Sequence, residues 1–213
     1  MIMSLSRGPG KVAINGVADD FERASLGSNW TLYVGNSSTT GIVASSDMGV
    51  LAFSGVHIAA WAGPAVGADQ FSEARSSTGL VSNMQHQVFA RRRTSDGARY
   101  ALHYNPEAAN NIIPASPQWE IKYDGVASAQ TRLIATSSLP APSPGDTLRL
   151  EVRGSSTVEL KAYHNGILIM TATDTDANRV ISGPPGLVFR EFVGASITYP
   201  SPVWENWSAG TLL

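Results

Sequence analysis

The sequence contains no cysteine, which removes disulfide frameworks, thiolate zinc sites and cysteine nucleophiles together. Charge is scarce too: acidic and basic residues make up 15% of the 213, and the net charge is -2. No basic field exists to attract a phosphate backbone, so nucleic acid is not an expected partner. Arg91-Arg92-Arg93 is the only basic cluster, and strand spacing would send its members to alternate faces. No stretch reaches the apolar length of a membrane span, and no membrane association is expected. The first residues, Met1-Ile2-Met3-Ser4-Leu5-Ser6-Arg7-Gly8-Pro9, lack the basic and apolar regions of a secretory signal. The expectation is therefore synthesis in a cytoplasm. Amphipathic helix patterns are missing, as is any fixed-period repeat, so solenoids and propellers are not expected.

What is present is turn chemistry and alternation. Asn15-Gly16, Asp96-Gly97, Asp124-Gly125 and Asn165-Gly166 are two-residue hairpin signals, because a type I′ turn needs positive φ at both central residues. The last three lie between short alternating runs. Leu148-Arg149-Leu150-Glu151-Val152-Arg153 puts aliphatics on one side and charges on the other, and Val158-Glu159-Leu160-Lys161-Ala162-Tyr163 does the same. Trp119-Glu120-Ile121-Lys122-Tyr123 and Tyr100-Ala101-Leu102-His103-Tyr104 follow suit. Period two with one apolar face describes strands packed on a core from one side and wetted on the other. Pro/Ser/Gly segments at 114–117, 140–145 and 182–186 read as loops. Residues 1–17, broken by Gly8-Pro9-Gly10, read as an irregular N-terminal arm, and 18–213 as one β-sandwich domain. At least ten strands and no helix longer than two turns are expected.

Asp19-Asp20-Phe21-Glu22-Arg23-Ala24, with Leu26-Gly27-Ser28-Asn29-Trp30, resembles the opening strand of concanavalin A-like (laminin G-like) jelly-roll domains. Ala68-Asp69-Gln70-Phe71, Pro144-Gly145-Asp146-Thr147-Leu148, Tyr163-His164-Asn165-Gly166 and Ser182-Gly183-Pro184-Pro185-Gly186-Leu187 continue the resemblance in order. It covers roughly residues 18 to 210. It implies an all-β antiparallel sandwich with the first and last strands near each other, of the kind found in phage virion proteins and in modules of carbohydrate-active enzymes.

Glycosidases similar in fold carry a Glu-x-Asp-x-Glu strand that sets carboxylates on one face across the scissile bond. Glu120-Ile121-Lys122, Glu151-Val152-Arg153 and Glu159-Leu160-Lys161 instead put a base where the second acid is needed, and a mixed solvated face with weak cross-strand pairs is expected. No catalytic residue is assigned, and the protein is not expected to be an enzyme. Asp174, Asp176 and Asn178 occupy the first ligand positions of a calcium loop. Arg179 and Pro185 then break the pattern, so the turn-forming role of Asp and Asn is preferred, no cofactor is assigned, and calcium is the one metal to test. Trp30, Trp119 and Trp207 are expected in the core, whereas Trp61, in Ala59-Ala60-Trp61-Ala62-Gly63-Pro64, reads as an exposed platform in a small-residue loop. His103 is placed on the wetted face. Trp61, His103 and Lys122 are the candidate ligand-binding residues.

The leading expectation is a non-catalytic virion structural protein, such as a capsid decoration, spike or tail-associated component with a glycan-adhesive role. The alternative is a secreted lectin or carbohydrate-binding module. The first reading implies other virion proteins as partners through the arm, a surface glycan, and homo-oligomerisation, with a trimer as the first candidate.

Overall fold

The computed structural model describes residues 14–21, 27–35, 42–45, 47–50, 55–76, 84–105, 118–125, 131–191 and 203–213. These contain fifteen strands: β1 (Ile14–Asp19), β2 (Trp30–Gly35), β3 (Ile42–Ser45), β4 (Asp47–Val50), β5 (Gly55–Trp61), β6 (Gln70–Ser76), β7 (Met84–Ala90), β8 (Arg99–Asn105), β9 (Gln118–Asp124), β10 (Arg132–Ser137), β11 (Thr147–Arg153), β12 (Val158–His164), β13 (Ile167–Asp174), β14 (Gly186–Glu191) and β15 (Val203–Thr211). No helix occurs among the described residues. The strands form two antiparallel sheets. One has eight strands, ordered β13-β12-β11-β6-β15-β4-β3 with β1 also on β15, and the other seven, ordered β10-β9-β8-β7-β14-β5-β2. The first and last strands pair, as expected of a jelly roll.

Local turn chemistry explains some of this directly. Asn165 and Gly166 take φ of 52° and 75°, the type I′ signature, and join β12 to β13 with no intervening residue. Asp146 fastens this hairpin to the loop before β11: its carboxylate accepts from Asn165 Nδ2 at 2.7 Å and pairs with His164 Nε2 at 2.7 Å. The other signals behave differently. At Asp96-Gly97 the chain closes a four-residue loop, with Arg93 N donating to Ala98 O at 2.7 Å, and only Gly97 takes positive φ. Asp124-Gly125 ends β9 well before β10 begins. Asn15-Gly16 lies inside β1 at a register shift between Ile14 and Val17, a bulge rather than a hairpin. Residues 14–17 of the expected arm thus belong to the sandwich; residues 1–13, and the loop expected at 114–117, lie outside the described residues.

The inward faces form one core. Trp30, Trp61, Trp207 and Phe21 make an aromatic cluster at one end, with ring centroids 4.6–5.7 Å apart; each such ring buries about 150–250 Å² and anchors the two sheets against each other. Phe21 holds φ of 57° while fully buried. Asp19 supports this geometry, accepting from Phe21 N at 2.9 Å and Trp30 Nε1 at 2.6 Å. Trp119 and Trp204 are also fully buried. On the side where β10 and β13 meet, Arg132 donates both Nη atoms to Asp174, which also accepts from Tyr100 Oη at 2.7 Å. This pair, its carboxylate buried and its guanidinium half-buried, ties the seven-stranded sheet to the eight-stranded one. Burial and the Asp174 carboxylate push the Tyr100 phenol well above its ordinary pKa.

Candidate functional site

Strand alternation sends Gln87, His103, Asn105, Gln118, Glu120 and Lys122 to the outer face of the seven-stranded sheet, opposite the core residues Val88, Leu102, Tyr104, Trp119 and Ile121. The register sets Gln87 beside His103 and His103 beside Glu120. Glu120 Oε2 meets His103 Nε2 at 2.5 Å and Lys122 Nζ at 2.8 Å, and Oε1 accepts from Asn105 Nδ2 at 3.1 Å and Gln118 Nε2 at 3.0 Å. Gln87 Nε2 lies 3.3 Å from His103 Nδ1. The pattern assigns a neutral imidazole that donates from Nε2 to the carboxylate and accepts at Nδ1 from the amide.

This row is closed to solvent: His103 and Glu120 are 0% exposed and Lys122 8%. The expectation of a wetted face with loose mixed charges is therefore corrected. His103 is a buried member of a hydrogen-bonded network, and Lys122 is the counter-charge of Glu120. Burial alone would raise the Glu120 pKa, but the His103 hydrogen bond and the Lys122 charge hold it well below the usual carboxylate range. Burial, reinforced by Lys122, keeps the His103 pKa below its ordinary value despite Glu120. Beside the polar row, Ala60, Phe89, Ala101 and Val188 form a second apolar cluster with Ile58. The same face thus has a hydrogen-bonded half and an apolar half.

Trp61 is likewise corrected. It ends β5, is 7% exposed, and donates Nε1 to Pro64 O at 3.0 Å. The small residues around it make room: a Cβ on Gly63 would stand 2.5 Å from the Trp61 ring. Asp174 and Asp176 face Arg132, at 3.0 and 3.5 Å, and form no metal-holding group with Asn178 among the described residues. Asp174 serves Arg132 and Tyr100, its Oδ1 accepts from Asp176 N at 2.9 Å, and Asp176 Oδ1 accepts from Asn178 N at 2.7 Å. These are the side-chain turns that favour Asp and Asn in loops. The other two histidines, His57 and His86, lie on β5 and β7.

The arginine triplet was legible as a basic run but not as three different environments. Arg91, at φ 54°, is fully buried and donates to Ala68 O, Gly154 O, Val180 O and Asp69 Oδ1. It ties together the loops at one end of the sandwich. Arg93 pairs with Asp96 and donates to Asn178 O and Arg179 O. Arg92 stacks on the Tyr33 ring, its Cζ 3.6 Å from the centroid.

An open groove of about 470 Å³ runs along the eight-stranded sheet where β1, β6 and β15 meet. Asn29, Glu73, Arg75, Thr147, Asn206 and Ser208 line it, with Trp207 beneath. Amides, hydroxyls and opposite charges offer both donors and acceptors there, which suits a polyhydroxylated ligand.

No protein-family model matches the chain, and no curated protein matches it. Solved structures do. The carbohydrate recognition domain of Emp47p is 8% identical, covers 98% of this chain and 100% of its own, and superposes with a TM-score of 0.62. The CBM2 module of the evolved Dit of Lactobacillus casei BL23 phage J-1 is 12% identical, with coverage of 92% and 94% and a TM-score of 0.55. A β-porphyranase from the human gut bacterium Bacteroides plebeius is 11% identical, with coverage of 98% and 95% and a TM-score of 0.54. Binding modules and enzymes therefore share this architecture, and likeness at such identity speaks for architecture alone. The two sheets, their antiparallel order and these matches give the chain the concanavalin A-like jelly-roll fold.

Proposed function

We propose that the protein is a glycan-binding jelly-roll module that holds its ligand without cleaving it. The observation that carries this reading is the state of Glu120: a buried carboxylate neutralised by Lys122 and hydrogen-bonded by His103, Asn105 and Gln118. Held as an anion, it cannot serve as a general acid. At the middle position of the strand, where a Glu-x-Asp-x-Glu pattern needs its second acid, Lys122 stands instead and is paired with Glu120. Asp124, the next outward carboxylate on the strand, is paired with Arg99 at 2.5 Å. Whole-length likeness to a carbohydrate recognition domain supports a sugar as the ligand class. The groove of the eight-stranded sheet is the open cleft with the donors and acceptors to take it.

Titration of the full chain with β-glucans, galactans and host-surface polysaccharides should give saturable binding and release no reducing ends. Asn29→Ala and Asn206→Ala should each weaken binding about fivefold or more through one lost hydrogen bond. Turnover abolished by Glu120→Gln would overturn the non-catalytic reading, and affinity unmoved by both Asn variants would remove the groove.

A second reading mounts the module on a virion, and the likeness to a phage Dit module favours it. Deleting residues 1–13, which precede β1, should then leave the sandwich folded by circular dichroism and weaken attachment to the particle. Light scattering reports whether the chain self-associates. A truncated protein that attaches as tightly as the full chain removes the arm from this reading.

A further inference from the structure

We infer that Arg92 is the anchor of a subsite for an acidic sugar, one bearing a carboxylate or sulfate, on the outer face of the seven-stranded sheet. The inference rests on the glycan-binding reading for the sugar and on Arg92 itself for the charge. Three consecutive arginines stand at one end of the sandwich, and two are saturated by carbonyls and carboxylates. Arg92 is different. It is 7% exposed, and its Nε and Nη1 are buried without a hydrogen-bond partner. Among the described residues no carboxylate pairs with it. A buried guanidinium is always charged and carries five donors and no acceptor. Stacking on Tyr33 offsets only part of its lost hydration.

The geometry leaves one way in. Nη2 is not closed off as its neighbours are, and it stands beside Gly97, where a Cβ would lie 3.0 Å from it. Both two-pronged edges of a guanidinium, Nε with Nη2 and Nη1 with Nη2, include this atom. An acid group arriving at Nη2 therefore completes a bidentate pair with a donor that now has no partner. Arg92 extends β7, its N donating to Pro184 O at 2.9 Å, whereas Tyr33 is on edge strand β2, with β14 and β5 between. The stacked pair consequently reaches across the sheet face. Tyr33 is 36% exposed and offers an apolar ring to the body of a sugar whose acid group sits on Arg92.

The test uses the full chain and calorimetric titration with oligogalacturonate, a sulfated oligosaccharide and a neutral galacto-oligosaccharide. The acidic ligands should bind, and Arg92→Met should weaken them about tenfold or more, the loss of a charge-assisted bidentate contact. Neutral-glycan affinity should not change. Arg92→Lys, which keeps the charge and loses the fork, should fall between. Without ligand, Arg92→Met should melt no lower than wild type, because it removes a buried charge that lacks a partner. Undiminished acidic-ligand binding in Arg92→Met, or a lowered melting temperature, would overturn the inference while leaving neutral-glycan binding intact. If no oligosaccharide binds at all, the glycan reading fails. Saturable protection by inorganic sulfate of wild type and not of Arg92→Met would then keep the anion site and discard its sugar.

Discussion

Lys122→Met isolates the energetics of the buried row. Lys122 Nζ lies 2.8 Å from a carboxylate that is fully buried, so removing it leaves Glu120 without a full countercharge. Breaking a buried ion pair costs about 3–5 kcal/mol, and the surviving bonds from His103, Asn105 and Gln118 put this case near the lower bound. About 3 kcal/mol corresponds to roughly 6–12 °C in melting temperature for a domain of this size. The loss should depend on pH, because Lys122 is one of the groups that hold the His103 pKa down. Without Lys122 the imidazole protonates more readily beside Glu120, and the Gln87 amide turns its oxygen toward Nδ1. Melting curves by circular dichroism should show nearly the full loss at pH 8 and a clearly smaller one at pH 5.5. In wild type the sign is opposite. His103 and Glu120 both have lowered folded-state pKa values, so the unfolded chain takes up protons first. Stability should be constant between about pH 7 and 9, decline as pH falls through the ordinary histidine range near 6.5, and decline further below the ordinary glutamate range near 4.3. An equal loss at pH 8 and 5.5, or no loss at either, would refute the claim that Lys122 balances Glu120 and restrains His103.

Gly166→Val should destabilise by about 1 kcal/mol or more, since a β-branched residue resists positive φ; nothing lies within 4 Å of the added Cβ, so the whole effect is backbone strain. An unchanged urea midpoint would count against the primed turn. Arg91→Met should be among the most damaging single changes, costing about 3 kcal/mol or more, because it removes the fully buried donor that joins the Ala68, Gly154 and Val180 carbonyls and leaves the buried Val180 carbonyl without it; a melting temperature within a degree of wild type would show that the loop junction stands without it.

Which residues alternate, and where a two-residue primed turn can form, were legible in the sequence because both are local properties. Side chains two apart share a face whatever the rest of the chain does, and φ tolerance at Asn165-Gly166 belongs to those two residues. Hence β12, β13, their hairpin, the all-β class and the burial of Trp30, Trp119 and Trp207 followed from pattern alone. What lies beyond each face did not follow. Trp119-Glu120-Ile121-Lys122-Tyr123 separates its polar and apolar sides correctly, but whether Glu120 meets water or His103 depends on β8, fifteen or more residues earlier. Trp61 looked like a loop platform because its neighbours are small, and small neighbours are also what lets a bulky ring pack closely. The Asp96-Gly97 and Asn15-Gly16 signals were diverted because strand register is set by partners far along the chain, not by the dipeptide. The three arginines differ for the same reason. Arg91, Arg92 and Arg93 are chemically identical, and only the tertiary structure decides which finds carbonyls, which finds a carboxylate and which is left on a tyrosine ring.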